Sequence, residues 1–171
     1  MANIKEAYAA SAPLTLALES LAASSTIVAG RESTAVSNTT NLYLDYLVAG
    51  KITTGTTPTA GVVEVWAYAS LEDTPTYPDV LDGTDSAETF TSRDILTQSL
   101  ALMCIINTDS TSNRTYWFRV YSIASIFSRG AGSLFVPKNW GVFVTHNTVA
   151  ALNATAANHA IWHTGVYLTS V

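Results

Sequence analysis

Charged side chains are scarce in this chain of 171 residues, where Asp, Glu, Lys and Arg make up only 12%. In an average soluble domain they make up about a quarter, and here Thr, Ser and Asn fill many of the polar positions. The eight basic residues are scattered along the chain and the net charge is −5. This distribution argues against a nucleic-acid-binding protein, which would concentrate Lys and Arg. It favours a protein whose surface is partly covered by partners.

Cysteine is almost absent. The single one, Cys104, lies inside the apolar run 100–106, so no disulfide can form within the chain. A catalytic cysteine needs a neighbouring base and some exposure. The run instead predicts a buried, inert thiol that packs as a small hydrophobic side chain.

Long hydrophobic runs are also missing. No apolar stretch approaches the roughly 18 residues that cross a bilayer, so we predict no membrane partner. Near the start, Lys5 is followed at once by Glu6, and Glu19 interrupts the next apolar stretch. Both features fit a secretory signal poorly, and we expect the chain to be made in the cytoplasm and kept unprocessed.

Motifs for nucleophilic catalysis or phosphate binding are absent, since the chain has no G-x-S-x-G, P-loop or G-x-G-x-x-G pattern. Gly130-Ala131-Gly132 is a single G-x-G without a strand-to-helix context. Glu64 and the acids of segment 70–92 offer carboxylates, but nothing pairs them as a glycosidase requires. We predict no catalytic residue and no cofactor, and a small hydrolase is the least favoured function.

Two groups of residues deserve consideration as metal ligands. Segment 70–92 reads as a long irregular loop and contains six acids: Glu72, Asp73, Asp79, Asp82, Asp85 and Glu88. Their spacing does not match the calcium-binding EF-hand loop, which favours a solvated loop or one that pairs with a neighbour's Arg. The three histidines, His146, His159 and His163, lack Cys or acidic ligands at zinc spacing. We therefore predict no metal site.

Short strand-like segments dominate what is present. The pattern predicts strands near 41–48, 62–68, 96–107, 114–123, 140–146 and 160–168. Strands without long helices indicate a β-sandwich or barrel. We predict an all-β, jelly-roll-like β-sandwich, because loops of uneven length suit Greek-key crossings. An immunoglobulin-type sandwich is the alternative, although the usual Cys pair is missing.

Three strand predictions are more detailed. Segments 41–48 and 62–68 flank a turn rich in Gly and Pro, which indicates a hairpin-like pair, with Leu42, Leu44, Tyr46 and Val48 on one face. Segment 96–107 is nearly all apolar from Leu100, which is typical of a strand covered on both faces. Segment 114–123 is bulky on both faces, so we expect both to be covered.

The N-terminal part, 1–30, reads as an extended arm, and 31–171 as the sandwich domain. The arm is rich in Ala and Ser, whose small side chains let a segment lie along another surface. Alternation over 13–18 fits a strand, whereas Leu14, Leu18 and Leu21 fit a short helix, and the pattern does not separate the two. We expect this arm to contact a partner.

All four tryptophans, Trp66, Trp117, Trp140 and Trp162, occur in strand-like segments. Aromatic residues are enriched in strands, so core packing is the favoured interpretation. The alternative is an exposed aromatic face on which a sugar could stack.

Three segments resemble structural proteins encoded among the head genes of tailed bacteriophages: Ile27-Val28-Ala29-Gly30-Arg31-Glu32-Ser33, Tyr77-Pro78-Asp79-Val80-Leu81-Asp82-Gly83-Thr84 and Pro137-Lys138-Asn139-Trp140-Gly141-Val142-Phe143-Val144-Thr145-His146-Asn147. The nearest class is the capsid decoration, or cement, proteins. This resemblance implies a non-enzymatic homotrimer on the outside of the virion, made in the host cytoplasm, that binds the major capsid protein. It assigns no role to any single residue. A tail or fibre component, carbohydrate-binding through exposed aromatics, is the second interpretation.

Overall fold

Two antiparallel sheets pack face to face in the computed structural model, which describes residues 3–129 and 134–170. Sheet 1 contains β1 (Ile4–Tyr8), β2 (Ala12–Pro13), β5 (Asp45–Thr53), β9 (Thr115–Ser122) and β11 (Ala160–Ser170). Sheet 2 contains β3 (Ala29–Glu32), β4 (Val36–Ser37), β6 (Gly61–Ser70), β7 (Ala87–Thr89), β8 (Ala101–Thr108) and β10 (Asn139–His146). Two short α-helices, α1 (Arg93–Ser99) and α2 (Ile123–Phe127), and a 3₁₀ turn (Ala156–Asn158) complete the described elements. The predicted all-β sandwich is confirmed.

The strands pair in a nested order. Sheet 1 runs β1-β11-β5-β9, with β2 also on β11, and sheet 2 runs β7-β3-β10-β6-β8, with β4 also on β10. When the short strands β2, β4 and β7 are set aside, eight strands remain. Of these, β1 pairs with β11, β3 with β10, β5 with β9 and β6 with β8, so each pair encloses the next along the chain. Strands distant in sequence therefore hold the molecule together.

The main core lies between the two sheets. Its centre is formed by fully buried side chains from both, among them Val48 of β5 and Trp140, Val142 and Val144 of β10. A Cβ on Gly141 would lie 2.3 Å from the ring of Tyr68, so only glycine lets that ring pack against β10.

A second apolar cluster covers the outer face of sheet 2. Segment 71–92 and α1 lie over this face and bury Leu81, Phe90 and Leu96 against Trp66, Tyr68 and Phe143. With both faces of sheet 2 covered, every residue of β10 is buried. The loop predicted at 70–92 is present, interrupted only by β7, and its length serves to cover the sheet.

The predicted hairpin of segments 41–48 and 62–68 is wrong. β5 pairs with β9 and β11 in sheet 1, whereas β6 pairs with β8 and β10 in sheet 2, so the connection crosses between sheets. The strand also begins later than predicted. Leu42 has a left-handed φ of 51° and, like Leu44, is exposed, while Tyr46 and Val48 are buried as predicted.

The strand predicted from Leu96 is wrong at its start. Residues Arg93–Ser99 form α1, and β8 begins only at Ala101. The hydroxyl oxygen of Ser92 caps this helix by accepting a hydrogen bond from the N–H of Ile95 at 3.2 Å. Leu96 and Leu100, four residues apart, then pack on the same cluster. No described helix is long and apolar enough to cross a membrane.

The prediction that both faces of segment 114–123 are covered is also wrong. Trp117 is 69% exposed and Val120 is 59% exposed. A bulge opposite Ala49 breaks the alternation of β9, since Tyr121 pairs with Val48 but Phe118 pairs with Gly50. The extra residue turns Val120 to the outer face of sheet 1.

The N-terminal segment is built into the sandwich. β1 and β2 pair with β11, Leu14 and Leu18 are buried in the main core, and β3 pairs with β10. The side chains of β1 are mainly exposed. From Leu14 onward the segment belongs to the core, and the structure has no packing boundary at Gly30. The predicted motif at 130–132 lies outside the described residues.

Candidate interaction surfaces

Glu32 organises the long acidic loop. This glutamate of β3 is fully buried, and its carboxylate accepts hydrogen bonds from the N–H groups of Asp82 at 3.0 Å and Gly83 at 3.1 Å. The hydroxyl of Ser86 donates to it at 3.2 Å. Burial raises the pKa of Glu32, although these donors act in the opposite direction. A single carboxylate thus anchors the turn of the loop to sheet 2.

Most acids of the loop have partners within the chain. Asp85 pairs with Arg31 at 2.5 Å, Asp79 accepts from the N–H and hydroxyl of Thr91, and Asp73 pairs with Lys138 at 2.6 Å. Hydrogen bonds from Thr84 lower the pKa of Asp82. Among the described residues, no group of three His, Cys, Asp or Glu side chains is arranged to hold a metal ion. The loop is therefore occupied with structural contacts within the chain. Arg31, the partner of Asp85, belongs to the same chain, so pairing with a neighbour's Arg stays a prediction.

Glu64 joins α1 to sheet 2. Its side chain, 6% exposed, accepts two hydrogen bonds from the guanidinium of Arg93, at 2.7 and 2.9 Å. The indole N–H of Trp66 donates to the same carboxylate at 2.9 Å, and the guanidinium lies 5.1 Å from the centre of the Trp66 ring.

The three histidines serve the fold. His146 is fully buried, and its Nε2 donates to the carbonyl oxygen of Leu21 at 3.0 Å, while Nδ1 contacts the hydroxyl of Thr148 at 3.0 Å. His159 donates from Nε2 to the carbonyl of Asn153 at 2.8 Å. His163 packs between the rings of Tyr46 and Trp140. Burial lowers the pKa of all three, so each is neutral at pH 7.

Cys104 is buried in β8, as its apolar surroundings predicted. Burial raises the pKa of its thiol to about 11. Since the thiolate is the nucleophile in cysteine chemistry, this side chain is inert at neutral pH.

The four tryptophans divide between core and surface. Trp66 and Trp140 are buried, as the core-packing interpretation predicted. Trp117 of β9 and Trp162 of β11 lie on the outer face of sheet 1, with ring centres 6.1 Å apart and planes inclined by only 15°. The ammonium group of Lys51 lies 5.9 Å from the centre of the Trp117 ring. Trp117 is exposed and Trp162 is half-buried, so sheet 1 has a partly exposed aromatic face.

A groove lies beside Trp162. It has a volume of about 310 Å³ and is lined by Tyr8, Ser11, Leu47, Val48, Ala49, Val120, Trp162 and Thr164. None of these side chains is charged. We refer to this feature as the tryptophan groove.

A second exposed area lies at one end of sheet 1, where β1 and the last residues of β11 form a two-stranded ribbon. Residues 167–170 of β11 pair with β1 but extend beyond the register with β5, which ends at Val166. Between this ribbon and the loop before β5 is a cleft of about 590 Å³. We call the surface formed by Leu42, Leu44, Tyr167 and Leu168, which line this cleft, the ribbon-end surface. These four are a third of the twelve large apolar side chains that are exposed among the described residues.

Sequence reasoning missed the ribbon-end surface, whereas an exposed aromatic face was its alternative interpretation of the tryptophans. Leu42 and Leu44 alternate with Tyr46 and Val48, so they read as core residues of one strand. A signal for their exposure was present in Asp45, whose carboxylate accepts hydrogen bonds from the N–H groups of Tyr46 and Ala124. Such a residue is typical of the start of an element, not its interior.

Comparisons of this chain with protein-family models, with curated proteins and with solved structures find no significant match.

Proposed function

We propose that this chain is a non-enzymatic structural protein of a bacteriophage virion, a decoration protein that binds the outside of the head and stabilises contacts between major capsid subunits. The observation that carries the proposal is the ribbon-end surface, on which four exposed large apolar side chains line one cleft. Monomeric soluble proteins rarely leave such a patch uncovered. A protein built into a symmetric shell covers it with copies of itself or with the shell.

The fold supports this role. The long strands pair in a nested order, β1 with β11 and β3 with β10. A long antiparallel ribbon wound into two Greek keys has this order, and we infer a jelly roll from it. Such a body suits a protein that must stay rigid while its edges make contacts. We propose a homotrimer in which β1 and the ribbon-end surface, rather than all of segment 1–30, reach the neighbouring subunits.

The three segments that resemble phage head proteins also come together in space. β3, in the first segment, pairs with β10 in the third, and the buried Glu32 of the first accepts hydrogen bonds from Asp82 and Gly83 of the second. The three segments that carry the resemblance therefore belong to one packed unit of the structure.

The test is the number of copies in purified virions, measured by quantitative mass spectrometry against the major capsid protein. A decoration protein is expected at a copy number comparable to that of the capsid subunit. A tail or fibre component, the second candidate function, is expected in only a few copies per virion. The exposed Trp117 favours this second candidate, since exposed aromatic rings can bind host glycans. A low copy number would overturn the decoration role.

Charged variants test which surface is used. The double variant Leu42→Lys/Leu168→Lys places two charges on the ribbon-end surface and is expected to abolish binding to heads that lack the protein. Leu71→Lys is the matched control, because Leu71 is 63% exposed but lies in the loop over sheet 2. Equal binding by both variants would exclude the ribbon-end surface.

A further inference from the structure

We propose that the tryptophan groove binds a neutral saccharide of one or two pyranose rings, which stacks against the indole of Trp162. This site lies on the outer face of sheet 1. The inference applies in either virion location and does not rest on the decoration role.

The groove has a volume and a lining that suit such a ligand. Leu47 and Ala49 of β5 and Thr164 of β11 line it, together with Trp162. The small side chain at Ala49 leaves room beside the indole. Its volume of about 310 Å³ is at the lower end of small-molecule sites, which span roughly 300–1,000 Å³.

The indole is held in place before any ligand arrives. Trp162 is in the middle of a strand that pairs with β5, where it is opposite Ala49, and its ring lies nearly parallel to that of Trp117. Lys51, which lies next to Trp117, is itself fixed, because its ammonium group donates to the carbonyl of Ala157 at 2.9 Å. A rigid aromatic side chain loses little conformational entropy on binding.

The chemistry of the lining selects a ligand that is both apolar and hydroxylated. A pyranose ring presents C–H groups on its faces, which suit the electron-rich face of an indole, and hydroxyl groups at its edge. Ser11 and Thr164 also line the groove, and their hydroxyl groups can exchange hydrogen bonds with that edge. The hydroxyl of Tyr8, another lining residue, donates to the carboxylate of Glu6 at 2.7 Å and can still accept a hydrogen bond. Since none of the eight lining residues is charged, the site favours a neutral sugar over a sugar phosphate or an acidic glycan.

The experiment is a titration of the full chain, with its Trp side chains ¹⁵N-labelled, by maltose, cellobiose, lactose, mannobiose and chitobiose. We expect at least one disaccharide to shift the indole N–H resonance of Trp162 saturably. Glucose 6-phosphate should bind at least tenfold more weakly than that disaccharide. The proposal would be overturned if none of the disaccharides produced a saturable shift. A saturable shift with a neutral Trp-containing dipeptide, but with no disaccharide, would also overturn it and would indicate a protein-docking site.

Variants locate the site. Trp162→Ala removes the stacking surface, and Ala49→Leu fills the groove while the indole is retained, so the second variant tests the site even if the first fails to fold. Each is expected to weaken binding at least tenfold. Ile105→Ala is the control, because Ile105 is 48% exposed on β8 of the other sheet. Wild-type affinity in Ala49→Leu would overturn the assignment of the groove.

Discussion

At the residue scale, burial determines what the polar side chains do. His146 and Glu32 are both fully inside the protein, yet each has hydrogen-bond partners from a segment distant in sequence. These side chains connect the N-terminal segment and the acidic loop to the sheets. Residue types that suggest catalysis or metal binding in a sequence are here the residues that hold loops in place.

The buried histidines predict a loss of stability in mild acid. Burial lowers their pKa in the folded chain, while in the unfolded chain histidine titrates near 6.5. Below about pH 6.5 the unfolded chain binds more protons, so the free energy of unfolding falls as pH falls. The slope is up to about 1.4 kcal/mol per pH unit for each histidine that stays neutral. Urea unfolding between pH 7.5 and pH 5.5 measures it.

His146→Gln isolates one contribution to that slope. The variant removes one titrating group, so its stability should fall less steeply with pH than that of the wild type. Glu72→Gln is the control, because it replaces an exposed side chain and leaves all three histidines in place. A slope in His146→Gln identical to the wild-type slope would contradict the role of burial at this histidine.

At the element scale, α1 is held to sheet 2 by the Glu64–Arg93 pair. Arg93→Met leaves the carboxylate of Glu64 buried without its cation. Removing one partner of a fully buried pair costs about 3–5 kcal/mol. The side chain of Arg93 is 36% exposed, so we expect a smaller loss of about 2 kcal/mol in the free energy of unfolding, measured by urea denaturation.

The chain contains its own control for this prediction. Arg114 pairs with Asp109 at the surface, and Arg114→Met should leave stability almost unchanged, because exposed pairs contribute little. The double variant Glu64→Gln/Arg93→Met removes the uncompensated charge and should recover part of the loss. If Arg93→Met and Arg114→Met were equally stable, the pair would not fasten α1.

Local sequence patterns predicted where the strands lie better than they predicted which strands pair with each other. The apolar alternation in β6 and β10 located both strands, but pairing between strands far apart in sequence has no local signal. That is why β5 and β6 were assigned to one hairpin. The start of α1 did have a local signal, a Ser92 cap followed by Leu96 and Leu100 at helical spacing. The continuous apolar run after Leu100 obscured it.

Exposure of the candidate sites was the least predictable property. Trp66 and Trp117 both occur in strand patterns and both lie on the outer face of a sheet, yet only Trp66 is buried. The difference arises because the outer face of sheet 2 is covered by segment 71–92, while the outer face of sheet 1 has no equivalent cover among the described residues. That covering depends on the tertiary fold, so no window of sequence around either tryptophan could reveal it.

At the scale of the whole molecule, the position of a strand in its sheet should decide whether it can be removed. β1 is an edge strand with mostly exposed side chains, whereas β11 lies between β1 and β5. Deleting residues 1–8 should leave a cooperatively folded protein, and deleting residues 160–170 should abolish folding. Circular dichroism and urea unfolding of the two truncations measure the outcome. Loss of cooperative unfolding on removal of 1–8 would show that β1 is part of the folding unit.

The pairing of the first strand with the last has one more consequence. Ile4 lies opposite Ser170, so the two ends of the described chain are neighbours across a single pair of strands. A short peptide could join them and turn the backbone into a ring without crossing either sheet. The ring could then be reopened at the exposed turn 109–113, which gives a circular permutant with the same strand contacts but with its free ends far from the ribbon.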